Sequence, residues 1–225
     1  MKHVGPFIAA AALGFAGLSL PAIARAEAVF DAPVAARQAH ETGLKTAVFA
    51  GGCFWGTEAV FSHVRGVTSV ISGFSGGTQG TANYRRVSAG GTGHAEAVKV
   101  TYDPDVVRYD QLLQILFSVV ADPTLQDRQG PDVGSQYRAA IMPRSDEQRA
   151  VARAYVRQMG RSGVWNSPIR VQVERAQGFF PAEDYHQDFA YRNPGHPYIR
   201  RWDAPKVRAL REQFPQLYRS AFRTG

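Results

Sequence analysis

A strand-to-helix joint built on paired glycines constrains this chain more than any other stretch. Lys45-Thr46-Ala47-Val48-Phe49-Ala50 reads as a short strand, and Thr57-Glu58-Ala59-Val60-Phe61-Ser62-His63-Val64 as a helix. Between them run Gly51-Gly52-Cys53-Phe54-Trp55-Gly56, and Cys53 is the only cysteine of the 225 residues. A thiol at such a joint lies near a helix N-terminus, where free N–H groups and the macrodipole favour a thiolate. The glycines allow a tight turn and leave room for a ligand above the sulfur. A lone cysteine is ordinarily a buried, inert one. Glycine crowding and two adjacent aromatics point instead to a reactive group.

The pattern continues in the same style. Val67 to Phe74 reads as a strand that runs into the glycine-rich loop Gly73–Tyr84, which matches neither a P-loop nor a dinucleotide fingerprint. A second glycine cluster, Gly90-Gly91-Thr92-Gly93, leads into a strand from Ala95 to Tyr102. Alternation there puts Glu96, Val98, Val100 and Tyr102 on one face. If that face is buried, Glu96 holds a proton near neutral pH; spacing alone leaves an exposed edge carboxylate equally open. Tyr109, Leu112, Leu113, Leu116, Phe117 and Val120 follow helical spacing and read as core.

Further on, a turn-rich loop, Gln129 to Gln136, feeds a strand over Tyr137–Met142, and Ser145 with Gln148 forms a capping box for a helix that Gly160 closes. Ile169 to Ala176 alternates as a strand, Pro181 to Gln187 begins a short helix, and Pro205 to Tyr218 reads as an outer helical tail. The expected fold is α/β, an α+β sandwich with helices packed on a mixed, largely antiparallel sheet, close to a split βαβ plait.

Lys2 and His3, the apolar run Phe7–Leu20 and Ala24-Arg25-Ala26 have the layout of a bacterial export signal cleaved after Ala26. The expected organisation is a signal peptide at 1–26, a flexible tether at 27–44, one catalytic domain at 45–218 and a tail at 219–225. Export places the mature chain in an oxidising compartment, the periplasm, where one cysteine cannot form an internal disulfide and flags a reactive thiol. No other segment is long and apolar enough to span a bilayer, so no membrane association is expected after cleavage. The formal charge is +7, and removing Lys2 and Arg25 leaves +5. The arginines are scattered, with no basic stripe interleaved with aromatics, so nucleic acid is not an expected partner. A monomer is expected.

A thiol beside a proton donor, with Tyr84 and Tyr137 in glycine-rich loops, suits attack on an electrophilic sulfur or carbonyl with protonation of its oxygen. On these residues the chain resembles the peptide methionine sulfoxide reductase A family. The likeness runs from Lys45 to Tyr218 and rests on four ordered motifs: Gly52-Cys53-Phe54-Trp55-Gly56, Gly93-His94-Ala95-Glu96-Ala97-Val98, Gln129-Gly130-x-Asp132-x-Gly134-x-Gln136-Tyr137-Arg138, and Ala182-Glu183-Asp184-Tyr185-His186-Gln187. The resemblance implies thiol-dependent reduction of methionine-(S)-sulfoxide, free or in peptides and proteins, and so repair of oxidised proteins. It implies Cys53 as nucleophile, Glu96 as the acid that protonates the sulfoxide oxygen, Tyr84 and Tyr137 as hydrogen-bond donors to that oxygen, and Asp132 as the pocket's second acid. It implies Phe54 and Trp55 as the cage for the S-methyl group.

No metal and no bound cofactor are implied, and His94 and His186 read as structural because no zinc-type spacing links them. The chain departs from many family members in lacking further cysteines; none lies in Arg211–Gly225. A sulfenic acid on Cys53 would then depend on an external thiol, a thioredoxin-like protein or dithiothreitol in vitro. Two other readings remain: a thiol hydrolase pairing Cys53 with His94 or His186 and Asn193, for which protease signatures are absent, and a non-catalytic methionine-sulfoxide-binding redox module.

Overall fold

The computed structural model describes residues 29–175 and 177–225. The expected export signal, 1–26, lies outside them. The strands are β1 (Lys45–Gly51), β2 (Val67–Ser75), β3 (Ala95–Tyr102), β4 (Arg128–Gln129), β5 (Asp132–Val133), β6 (Ala139–Met142), β7 (Gln172–Val173) and β8 (Phe180–Pro181). The helices are α1 (Phe54–Ser62), α2 (Tyr84–Ser88), α3 (Tyr109–Ile115), α4 (Asp146–Met159), α5 (Phe189–Arg192) and α6 (Ala204–Gln213).

Six strands form one sheet in the order β7-β6-β1-β3-β2-β8, antiparallel throughout except for β6 beside β7. β3 lies between β1 and β2, so β1-α1-β2 is a split βαβ unit, and β6-β1-β3-β2 is the plait expected from the sequence. The pleat separates two faces. One carries Ala47, Phe49, Val98, Val100 and Tyr102 into the main core, where Phe49 stacks on Phe61 of α1 and on Tyr109 of α3 with ring centroids 5.3 and 5.8 Å apart. The other carries Val48, Ala50, Ala95, Ala97, Ala140 and Met142, small side chains that leave room only for a thin cover by Phe179. The helical mass therefore sits on one side, and α1 is buried along its length except for Trp55.

Five expectations about the outer elements are corrected. The tether is not loose in its described part. Ala32, Ala35 and Ala39 are buried in the main core, the Ala39 N–H donates to Asp110 at 2.9 Å, and the Tyr155 hydroxyl donates to the Pro33 carbonyl at 2.8 Å. The strand expected from Tyr137 begins at Ala139, because Gly134 (φ 139°) turns the chain into a 3-10 turn over Ser135–Tyr137. Among the described residues of 169–176 only Gln172–Val173 pairs, at the sheet's edge, and of 181–187 only Asp184–His186 coils, as a 3-10 turn. The last helix ends at Gln213, and it packs inward through Ala209 and Leu210 with Phe214 and Leu217 after it. Among the described residues no helix is long and apolar enough to cross a membrane.

Candidate active site

β1 delivers the chain to the joint, and Gly52 makes the turn at φ 88°. A Cβ there would stand 2.6 Å from the Cβ of Gln129, so both conformation and space demand glycine. Gln129 is buried and fixed by its own amide, which accepts from the Asp122 N–H and donates to the Asp122 carbonyl, both at 2.9 Å. Cys53 then caps α1 through its carbonyl, which accepts from the Thr57 N–H at 3.4 Å and the Thr57 hydroxyl at 3.3 Å; its side chain does not cap the helix. The Phe54 N–H donates instead to a Glu96 carboxyl oxygen at 3.0 Å. A carboxyl from the sheet thus fills the anion site at the helix start. It can do so because β3 turns Glu96 to the core face at its first pair of residues, opposite Phe74.

A cavity of about 200 Å³ opens above this joint. Cys53, Phe54, Trp55, Tyr84, Glu96, Asp132 and Tyr137 all line it, so the seven residues singled out from the sequence meet in one place. Tyr84 is the first residue of α2, where the Asn83 side chain accepts from the Arg86 N–H at 3.1 Å and the Tyr84 N–H donates to Glu183 at 3.0 Å. Tyr137 ends the 3-10 turn, and Asp132 sits in the β4–β5 hairpin opposite Gln129. The Trp55 indole N–H donates to Nδ1 of His186 at 3.2 Å, and its ring lies parallel to Phe189 with centroids 3.8 Å apart. Phe54 is buried between Phe74 and His186.

Burial raises the Glu96 carboxyl to about 8, Asp132 adds to the rise, and the Phe54 N–H and the Cys53 thiol hold it back. Glu96 therefore carries a proton at neutral pH. Burial also pushes the Cys53 thiol well above its ordinary range, helped by the Glu96 and Asp203 carboxyls and opposed by the Trp55 N–H. This overturns the expectation of a thiolate favoured by the helix start: desolvation outweighs the helix end, and the resting sulfur keeps its proton. Burial raises Asp132 as well, while the Tyr198 hydroxyl and the Lys206 charge pull it down. Burial raises Tyr84 and Tyr137, with the surrounding acids adding to it, so both remain hydroxyl donors.

The eighth lining residue, Tyr198, has no counterpart in the sequence reading. Its hydroxyl donates to Asp132, 66 residues away in sequence. No spacing could show that contact; the only hint was an aromatic just after the Pro194-Gly195-His196-Pro197 turn. The holding roles of His186 and Glu183 were equally unreadable, although both lie in a quoted motif. His94 is buried, with one ring nitrogen accepting from the Gly77 N–H at 3.2 Å and the other 3.0 Å from the Thr78 carbonyl. Asn193 donates to the Phe189 carbonyl at 3.0 Å. No histidine lines the cavity, which removes the base a thiol hydrolase would need. Among the described residues no group of His, Cys, Asp and Glu could hold a metal ion.

A cysteine, a buried carboxyl tied to the helix start beside it and two tyrosines lining the same small cavity are a constellation suited to thiol chemistry coupled to proton transfer. Known proteins specify the chemistry. Residues 45–218 match the family described as peptide methionine sulfoxide reductase. The chain is 54% identical over 172 residues to peptide methionine sulfoxide reductase MsrA 2 of Synechocystis sp., covering 76% of this chain and 80% of that protein. It is 49% identical over 176 residues to MsrA 2 of Mesorhizobium japonicum, covering 78% and 90%. Methionine sulfoxide reductase A of Corynebacterium diphtheriae shares the fold with a TM-score of 0.58 at 29% identity, over 74% of this chain and 83% of that one. Reduced Mxr1 from Saccharomyces cerevisiae does so with a TM-score of 0.60 at 29% identity, over 69% and 91%. The chain belongs to the peptide methionine sulfoxide reductase A family. It is an oxidoreductase, a peptide-methionine (S)-S-oxide reductase, and its activity repairs oxidised methionine.

Proposed function

We propose that the reduction runs through Cys53, with Glu96 as its acid. The observation that carries this reading is the Phe54 N–H bond to Glu96, which fixes a protonated carboxyl beside the thiol in one cavity. The sulfoxide oxygen is placed toward Glu96, Tyr84 and Tyr137, and its methyl group against Phe54 and Trp55. Cys53 sulfur attacks the sulfoxide sulfur as Glu96 gives its proton to the oxygen. The oxygen then passes to the cysteine sulfur as the substrate S–O bond and the transient S–S bond break, so methionine leaves as the thioether and Cys53 is left as a sulfenic acid. Glu96 recovers the proton that the thiol loses, so the carboxyl is unchanged over the half-reaction. The electron pair gained by methionine comes from the cysteine sulfur.

The raised thiol suits this order of events. A neutral resting sulfur resists adventitious oxidation, and loses its proton only as the substrate oxygen draws one from Glu96. Asp132, held by Tyr198, orients polar groups at the cavity's far wall. Recycling requires two external thiols, which take the oxygen as water and leave as a disulfide. A thioredoxin-like protein is the proposed donor, because Cys53 is the only cysteine of the chain. Dithiothreitol serves in vitro.

Mass spectrometry of Cys53 after one turnover without reductant tests the scheme: a gain of one oxygen is expected, and an unmodified thiol beside reduced product would end it. Cys53→Ser is expected to abolish reduction of a peptide methionine sulfoxide with dithiothreitol. Export to the periplasm is proposed from the sequence of residues 1–26 alone. N-terminal sequencing of the fractionated protein checks it, with a mature start at Glu27 expected.

A further inference from the structure

Glu58 is a fully buried carboxyl that the reaction does not use. It lies on α1 three residues after Trp55, so the two side chains share a helix face. Neither of its oxygens reaches a partner at hydrogen-bonding geometry, and nor does the buried hydroxyl of Ser72 on β2. Burial raises it to about 8; the Asp188 N–H and Ser72 pull it down, and the Asp188 carboxylate pushes it up. No cation is among these influences, and an ionised carboxylate there would be costly. Glu58 is a neutral acid at neutral pH.

What packs over it is the segment that holds the cavity wall. Residues 182–189 are tied to β2 by the Ala182 N–H donating to the Ser72 carbonyl at 2.9 Å. The Gln187 amide accepts from the Ser72 N–H at 2.9 Å and donates to the Ser72 and Ala182 carbonyls at 3.0 and 2.9 Å. The segment then turns at Asp188, whose φ of 53° lies in the left-handed region that a non-glycine residue seldom adopts. Three of its side chains hold the site: Glu183 takes the Tyr84 N–H, His186 takes the Trp55 indole N–H, and Phe189 stacks on Trp55.

We propose that Glu58 is a positioning residue: wedged between α1, β2 and the Asp188 turn, it sets the height of segment 182–189 over α1 and thereby the pose of Trp55. The inference rests on the reductase reading of the cavity only for its kinetic arm. Cys53 and Glu96 hang on the sheet and the helix start rather than on this segment, so displacing the segment acts on substrate binding more than on the chemical step. The titratable group facing Glu58 from the segment is Asp188, which also accepts from the Gly225 N–H at 3.2 Å; β2 presents only the Ser72 hydroxyl and backbone.

The test compares Glu58→Ala with Glu58→Gln. Alanine is expected to raise KM for a peptide methionine sulfoxide about tenfold or more, with kcat within a few-fold, because a small misplacement of a binding wall is costly. Glutamine, neutral and of the same size, is expected to restore KM. A second readout needs no turnover. With Trp165 and Trp202 changed to Phe and Glu96 to Gln, Trp55 is the only indole and Glu58 the remaining carboxyl raised to about 8 among the described residues. Trp55 emission is then expected to titrate near pH 8 with Glu58 present and to stay flat with Glu58→Gln. Equal titration in both, or an alanine variant with unchanged KM, overturns the proposal. A titration that vanishes with Glu58→Gln, found together with a parent protein, Glu96 intact, that does not reduce sulfoxide, would sink the reductase reading and leave this one standing.

Discussion

The sheet centre and the last third of the chain build the same cavity by different means. Over residues 45–102 the backbone does the holding: β3 pairs with β1 without a break and with β2 from Ser69 to Ser75, past one bulge between Val67 and Ser69, and Cys53 and Glu96 are fixed where a strand ends and where one begins. Beyond residue 160 the paired strands are two residues long, and the walls are held by side chains: Gln187 on β2, His186 on Trp55, and Tyr198 on Asp132. Backbone ladders resist displacement as a unit, whereas single side-chain bonds can be lost one at a time. The proposed nucleophile and acid are therefore held by the stiff part, and the poses of the wall residues Trp55 and Asp132 by the adjustable part. Changes in the first are expected to strike the chemical step, and changes in the second to strike binding.

The largest effect is expected on the stiff side. Glu96→Gln keeps the shape and an acceptor for the Phe54 N–H but removes the acid. Single-turnover reduction should slow by roughly 10²–10⁴-fold, the range for a lost general acid, with little change in substrate binding. A single-turnover rate equal to that of the parent would remove Glu96 from the acid role. Activity should also decline above about pH 8, where Glu96 loses its proton, and that limb should disappear in the variant.

The same substitution has a thermodynamic signature of opposite sign. In the unfolded chain Glu96 ionises near 4.5, whereas the folded protein keeps the proton to about 8. Between these values the unfolded state binds fewer protons, so stability falls as pH rises through the window. Glu96→Gln is expected to flatten that fall and to be more stable than the parent at pH 8; Glu58, raised to about 8 as well, predicts the same for Glu58→Gln. Denaturant midpoints from pH 4 to 8 decide it: parallel slopes in parent and variants would mean that these carboxyls ionise normally in the fold. The pair also sharpens the contrast, since one stabilised variant should lose the chemical step and the other keep it.

A smaller effect is expected on the adjustable side. Tyr198→Phe removes the hydroxyl that Asp132 accepts, a charge-assisted bond of about 1.5–3 kcal/mol. KM should rise by about tenfold while kcat changes little. A loss confined to kcat would place Asp132 in the chemistry and blur the division between the two regions.

The same division decided what could be read from the sequence. The strand–Gly–Gly–Cys–helix joint, the alternation that turns Glu96 inward and the Ser145 cap are local patterns, and they stand in the structure as β1–α1, β3 and α4. Where pairing is sparse, periodicity misleads: 169–176 alternates like a strand, but among its described residues the edge pairs only Gln172 and Val173. The Tyr198–Asp132 bond and the grip of segment 182–189 on Trp55 join residues far apart in sequence, and no local pattern encodes them. The protonated thiol was missed for a different reason. A helix start is visible in sequence, but the burial that outweighs it arises from side chains converging from the whole chain.

The N-terminal segment offers the mildest break, because it touches the sheet and avoids the cavity. Glu41 accepts from the Tyr102 hydroxyl, and its other oxygen accepts from the Gln148 amide at 3.1 Å; that amide also donates to the Thr46 carbonyl at 3.0 Å. Tyr102 closes β3 at the end remote from Glu96, and Gln148 is buried in the first turn of α4. Glu41→Ala takes away the acceptor of the Tyr102 O–H, leaving that oxygen only the Gln148 amide that donates to it at 3.2 Å, at a cost of about 1 kcal/mol. The expected result is a lower denaturant midpoint with kcat and KM unchanged. An unchanged midpoint would mean that residues 29–44 are a tether after all, and altered kinetics would mean that the stiff sheet transmits strain along β3 from Tyr102 to Glu96.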